Sequence, residues 1–234
     1  MRLLLLAACL AACNLVNSDL TKTQIQLPVQ MYQVDTTDHN NVKLPPSIPA
    51  VQCSSNDLCC GGQSCQGDGY TLACGSGGTC QATVVATLVS SVDLSTDPNL
   101  AKAMSLADVT LKSIQYGVCD NTLTVDVPQI ELWLAPAAVT KPDTTMGAKK
   151  IGTIPMVARM TNPGCPPNRM QVDPSKLAAV QLEPDAQATF KSFAQNFKQK
   201  FNAIAVGTFI VKAGDPSPTG AMTVYVSGIA EVSF

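Results

Sequence analysis

Ten cysteines stand among the 234 residues, and eight of them lie well beyond the apolar N-terminus: Cys53, Cys59, Cys60, Cys65, Cys74, Cys80, Cys119 and Cys165. Sulfur at this density can bridge, bind metal or exchange electrons. Six of the eight fall within 28 residues, as Cys53-x5-Cys59-Cys60-x4-Cys65-x8-Cys74-x5-Cys80. Zinc prefers reduced thiolates in pairs at Cys-x2-4-Cys spacing; Cys60-x4-Cys65 alone falls in that range, and the closest pair is vicinal. A redox pair wants Cys-x-x-Cys at a helix start, where the thiol pKa drops; Cys59-Cys60 has neither. Between the cysteines stand Gly, Ser, Asn, Asp and Gln, with little apolar material for a core. Such a segment keeps a shape only when cross-linked. An even set of cysteines in an exported chain reads as disulfides, with no metal and no cofactor expected. The six are expected to pair among themselves, Cys59 and Cys60 with different partners. Cys119 and Cys165, each in turn-type sequence between strand candidates, are then left to pair with each other.

Other chemistry is sparse. The single histidine, His39, sits in a polar loop without an apolar frame, whereas a Ser-His-Asp site needs an imidazole held by an acid and aimed at a hydroxyl. Gly62-Gln63-Ser64-Cys65 lacks the second glycine of a nucleophile elbow. No phosphate loop or dinucleotide glycine pattern occurs. Asp35, Asp38, Asn40 and Asn41, or Asp93 and Asp97, offer oxygen ligands to calcium, but they match no known loop, and Asx residues populate turns for backbone reasons. Carboxylates acting alone as an acid–base pair leave no spacing signature, so an enzyme of that kind stays an open alternative.

The N-terminus supplies an address. Arg2 is followed by an apolar run from Leu3 to Ala12, about ten residues, the length of a signal-peptide core. As a helix it would rise only about 15 Å, half of a bilayer core. Leu10-Ala11-Ala12-Cys13 resembles a bacterial lipobox, in which the cysteine thiol is alkylated by a diacylglyceryl group before cleavage. Leu6-Ala7-Ala8-Cys9 repeats the tetrad, but cleavage there would leave about six apolar residues, too few for the signal core. The resemblance therefore implies residues 1–12 as signal peptide, Cys13 as the lipidated mature N-terminus, and residues 13–20 as tether. Asn14 stands where an Asp would imply retention in the inner membrane, so the resemblance favours the outer membrane.

Loss of residues 1–12 leaves 222 of the 234 residues and removes one positive charge, taking the net charge from −2 to −3 (14 Lys+Arg against 17 Asp+Glu). There is no basic block, which argues against nucleic acid as partner. The expected partners are the membrane, through the lipid, and an envelope protein or an apolar ligand.

The elements that would position these groups are mainly β. Ile25, Leu27, Val29 and Met31 alternate around Pro28, which suits an edge strand. Residues 35–50 read as loop. From Ala82, Val84, Ala86, Leu88, Val92 and Leu94 share one parity. Val109 and Leu111 then give way to Ile114, Tyr116 and Val118, a switch of phase that predicts a bulge or the end of that strand. Leu123–Val127, Ile130–Leu134 and Ile151–Met160 follow as strand candidates, the last broken by Pro155. One amphipathic helix is expected over about residues 185–201, with Phe190, Phe193, Phe197 and Phe201 on one face and Lys191, Lys198 and Lys200 on the other. Ala203–Lys212 and Met222–Phe234 are expected to form a terminal hairpin. Alternation to the end of the chain also suits an outer-membrane barrel, but the cysteines, the absence of aromatic girdles and the helix argue for a domain outside the bilayer.

The expected fold is thus a mainly β, β-sandwich-like domain over residues 21–234, with the amphipathic helix and a disulfide-rich insertion at 53–80. The expected role is non-catalytic: an exported, membrane-anchored envelope lipoprotein that binds or builds. The alternatives are a carrier of an apolar ligand between sheets and helix, with Trp133 and the Phe stripe lining the pocket, and the carboxylate-dependent enzyme.

Overall fold

A computed structural model describes residues 22–38, 42–45, 47–61, 64–96, 108–165, 177–196 and 198–233. Among the described residues, twelve strands form two antiparallel sheets. The larger follows the order β10-β8-β7-β11-β5-β4-β3 and the smaller β1-β12-β6-β9, with β2 also on β12. In the larger sheet, β3 is Gln66–Gly67, β4 Tyr70–Cys74, β5 Cys80–Val92, β7 Gln129–Pro136, β8 Lys149–Ile154, β10 Gln181–Leu182 and β11 Phe201–Lys212. In the smaller, β1 is Lys22–Gln26, β2 Gln30–Asp35, β6 Asp108–Cys119, β9 Ala178–Ala179 and β12 Ala221–Ser233.

Alternation decides which side chains enter the core between the sheets, because successive residues of a strand face opposite ways. On β5, Cys80, Ala82, Val84, Ala86, Leu88 and Val92 are buried, while Val85 and Val89 are exposed. β12 answers with Met222, Val224, Ala230 and Val232, and β6 with Val109, Leu111, Ile114, Tyr116 and Val118. The predicted phase switch in β6 is a bulge: Ser113 pairs with Ile229 and Leu111 with Ala230, so Lys112 has no opposite number. The extra residue returns Ile114 to the face that Leu111 occupies. At the edge, Pro28 separates β1 from β2, and both run along β12.

Four expectations are corrected. The helix runs over Ala186–Ala194 (α2), not to residue 201, and Phe201 opens β11. From Phe201 onward the run is rich in β-branched and apolar residues, and it pairs with β5 on one side and β7 on the other. That double ladder outcompetes two more helical turns. Phe193 and Phe201 still meet, with ring centroids 5.4 Å apart, across the turn; Phe197 lies outside the described residues. The last two strands do not form a hairpin, since β11 belongs to the larger sheet and β12 to the smaller. Residues 213–220 carry the chain between layers, a span of about 10 Å that eight residues cover easily.

Leu123–Val127 is not a strand of either sheet but a crossing segment. Thr122 and Thr124 donate their amides to Ala221 and Thr219, and Val127 makes an isolated bridge to Val157. Finally, β8 stops before Pro155, whose missing N–H cannot serve a ladder, so the candidate strand does not reach Met160.

The cysteine-rich segment closes on itself. A short helix, α1 (Asn56–Cys60), ends at Gly61 in the left-handed region and carries both vicinal cysteines. Cys53 bridges Cys74, Cys59 bridges Cys80, and Cys60 bridges Cys65, with Cα separations of 5.7, 5.3 and 4.9 Å. The segment does not stand off the sandwich, because β4 pairs with β5 from Tyr70↔Val84 to Cys74↔Cys80 and so extends the larger sheet. Cys119 and Cys165 form the fourth bridge, at 5.2 Å.

Candidate functional site

Cys13 and His39 lie outside the described residues. The sulfurs of Cys53, Cys59 and Cys74 gather within 4.8 Å of one another, a distance that would suit a metal. They are together because two bridges stack side by side, and an oxidised sulfur offers no thiolate. The calcium candidates are engaged in turns of their own. Asp35 accepts from the amide and hydroxyl of Thr37 at 2.8 and 2.7 Å, and the Thr37 hydroxyl holds its carboxyl below the usual range. Asp93 accepts from the Ser95 hydroxyl at 2.5 Å and lies 3.4 Å from the Lys200 ammonium. Asp97, Asn40 and Asn41 lie outside the described residues.

Between the sheets, two apolar spaces measure about 20 and 70 Å³. The larger is bounded by Leu111, Ile114, Leu132, Ile151, Phe190 and Phe201. Ligand pockets run to roughly 300–1,000 Å³. An acyl ligand would therefore enter only if the layers parted.

The outer face of the larger sheet carries a different arrangement. On β7, Ile130, Leu132 and Leu134 point into the core, so Glu131 and Trp133 share the opposite face. Trp133 is the chain's only tryptophan. Although its residue forms part of the wall of the 70 Å³ space, its side chain packs with a second, outer cluster of Ala135, Val139, Ala148, Ile204 and Val206. The segment 137–148 folds over that cluster. Asn202, buried on β11, pins it by donating to the carbonyls of Ala137 and Val139, both at 3.0 Å.

A polar chain runs beside the indole. Trp133 Nε1 donates to Glu131 Oε2 at 3.2 Å. Lys150 on β8 stands opposite Trp133 in register, after a local irregularity, and its Nζ reaches Glu131 Oε1 at 3.2 Å and Glu183 Oε1 at 3.1 Å. The Glu183 carboxylate, then that of Glu131, pushes the Lys150 ammonium up from the ordinary lysine value. Glu183 is held in place because its amide donates to Ile151 at 3.1 Å, which prolongs the β10–β8 pairing. Trp133, Lys150 and Glu183, with Thr144, Lys149 and Asp185, border an open cleft of about 500 Å³. The arrangement offers an aromatic face, an ammonium and carboxylates in a row, groups suited to binding.

The carrier alternative set Trp133 and the Phe stripe around an interior pocket, and Trp133, Phe190 and Phe201 do border the 70 Å³ space. The Trp133 side chain nevertheless packs on the outer cluster, as its phase against Ile130, Leu132 and Leu134 signals. Lys150 and Glu183 carry no local signal; pairing across β7, β8 and β10 brings them together.

No known family model matches the sequence, and no curated protein is similar to it. Solved structures with some likeness include a carbohydrate-binding module of the β-sandwich superfamily, at 8% identity over 88% of this chain, with a TM-score of 0.27. The chain spans about half of that one's length, 54%. Desmodium yellow mottle tymovirus (11% identity, 88% of this chain and 87% of that one, TM-score 0.26) and turnip yellow mosaic virus (9%, 90% and 82%, TM-score 0.24) are others. Scores this low equate neither the folds in detail nor the functions.

Proposed function

We propose that this chain is an exported lipoprotein, anchored by acyl groups on Cys13, whose sandwich domain is a binding module of the cell envelope. The observation that carries the reading is the Trp133 cleft, built on strands and backed by a pinned loop. Binding sites are effective when the groups that contact a ligand are held by a rigid scaffold. The anchor's support is the Leu10-Ala11-Ala12-Cys13 tetrad, and two or more acyl chains give stable attachment where one does not.

Two measurements test the parts separately. A fatty-acid probe should label the wild-type chain and not the Cys13→Ser variant, which should leave the membrane fraction; labelling that persists or moves to Cys9 refutes the anchor. A photoreactive residue in place of Lys149, at the lip of the cleft, should cross-link an envelope component in living cells. A wild-type expression level with no cross-linked product would refute the binding role.

A further inference from the structure

We propose that the Trp133 cleft binds a saccharide, one ring stacked on the indole and its hydroxyls taken by Lys150, Glu183 and Asp185. This rests on the binding-module reading and names its ligand class. The fixed plane comes first. The indole is backed by Ala135, Ile204 and Val206, and its N–H is committed to Glu131. What is left of it for a ligand is an apolar, electron-rich face. The C–H edges of a pyranose ring form a flat, weakly positive surface of matching kind.

The flanking groups supply what the hydroxyls need. An ammonium has three donors, and Lys150 directs two of them at Glu131 and Glu183, which leaves a third. Asp185, at the start of α2, makes no capping bond with its side chain. Glu183 has a second carboxylate oxygen beyond the one that meets Lys150. Vicinal hydroxyls donate and accept at once, so a row that alternates carboxylate and ammonium suits them.

Charge and shape narrow the choice. Two acids, Glu183 and Asp185, line the cleft against two bases, Lys149 and Lys150, and Lys150 is also paired with Glu131, so the cleft has no cationic excess to hold a phosphate or sulfate. An organic cation would have to compete with Lys150 for the two glutamates. The cleft's volume of about 500 Å³ lies in the range of ligand pockets, and its open form admits a ring within a longer chain.

The single tryptophan makes the test direct, because all indole emission comes from the cleft. Full-length lipidated protein in a polyoxyethylene detergent is titrated with cellohexaose, chitohexaose, hexagalacturonate and, for comparison, tetramethylammonium. At least one oligosaccharide should shift Trp133 emission saturably. By calorimetry, Trp133→Ala should weaken that binding roughly tenfold or more, while Trp133→Phe should keep most of it. Glu183→Gln should weaken it by a smaller factor, with the melting curve of each variant verifying the fold. No emission shift with any oligosaccharide, a shift with tetramethylammonium alone, or unchanged affinity in Trp133→Ala would overturn the proposal. Cleavage of the oligosaccharide into shorter products would overturn it in favour of an enzyme. If the Lys149 cross-link is to a protein and no saccharide shifts the emission, the saccharide falls while the binding module stands.

Discussion

Replacing both Cys119 and Cys165 by Ala removes the staple between the end of β6 and the turn at 162–165, and its effect can be worked from the chain. The bridge closes a loop of 46 residues. Constraint of the unfolded chain over that length stabilises the fold by about 4 kcal/mol in the chain-entropy model, a large part of the roughly 5–15 kcal/mol of an ordinary domain. The native turn has its own fasteners. Asn121, 5% exposed, donates to the carbonyls of Ala158 and Thr161 at 3.1 and 2.9 Å and accepts from Leu123 at 3.1 Å. Its own amide donates to the Asn162 side chain at 3.0 Å. These bonds should keep the double variant folded, so that the loss falls on the unfolded state. Urea denaturation of the oxidised wild type and the double variant should give a difference of about 3–4 kcal/mol. Asn121→Ala alone should cost about 1–3 kcal/mol, since it leaves the amide of buried Leu123 without its acceptor. If the staple acts through the unfolded chain, the two losses should add within about 0.5 kcal/mol. A double-variant loss below about 1 kcal/mol would refute the reasoning. Coupling well above 1 kcal/mol would show that the bridge works by positioning the partners of Asn121.

Other outcomes follow from single groups. Gly220 has φ +99°, and a Cβ there would lie 2.2 Å from the Thr122 carbonyl oxygen; Gly220→Ala should lower stability by about 2–4 kcal/mol, and a thermal melt within 1 °C of wild type would contradict this. Asp126 is held below the usual carboxylate range by the Arg159 amide and then its guanidinium, and Asp143 by the Thr145 hydroxyl and amide. Their folded values lie under the unfolded one, so their contribution is complete above about pH 4 and is lost as the pH falls through the folded values. The melting temperature should therefore drop most steeply below about pH 4, less steeply in Asp126→Asn, and a flat profile from pH 5 to 2 would count against it. Lys150 has the opposite sign: its raised value gives a contribution complete below about pH 10.4 and lost above it. Lys150→Met should cost about 0.5–1 kcal/mol at pH 8, and its melting temperature should converge with that of wild type as the pH rises past 11; a gap that persists there would point to lost packing.

Much of the architecture was legible in residue order because β alternation is a local property. The inward parity of Ala82 to Val92, the phase switch between Leu111 and Ile114, and the edge position of the segment around Pro28, which is two strands and not the single one expected, each rest on near neighbours in the sequence. Cysteine count and spacing were enough for closure within 53–80 and for the pairing of Cys119 with Cys165, since an even remainder leaves one partner each. What failed was long-range. Phe201 fits a helical stripe by spacing, yet it belongs to a strand because β5 and β7 flank it on both sides, and no window around Phe201 contains those partners. Ala203–Lys212 and Met222–Ser233 look like two arms of a hairpin for the same reason: each alternates, and only the packing of layers assigns them to different sheets. The cleft sits between these cases. Parity alone turned Trp133 outward. Glu131 follows from the same strand, but Lys150 and Glu183 join it only through pairing of β7 with β8 and of β8 with β10, with ion pairs between residues 19 and 33 positions apart. Local chemistry determined which residues face which way; tertiary pairing decided which of them meet.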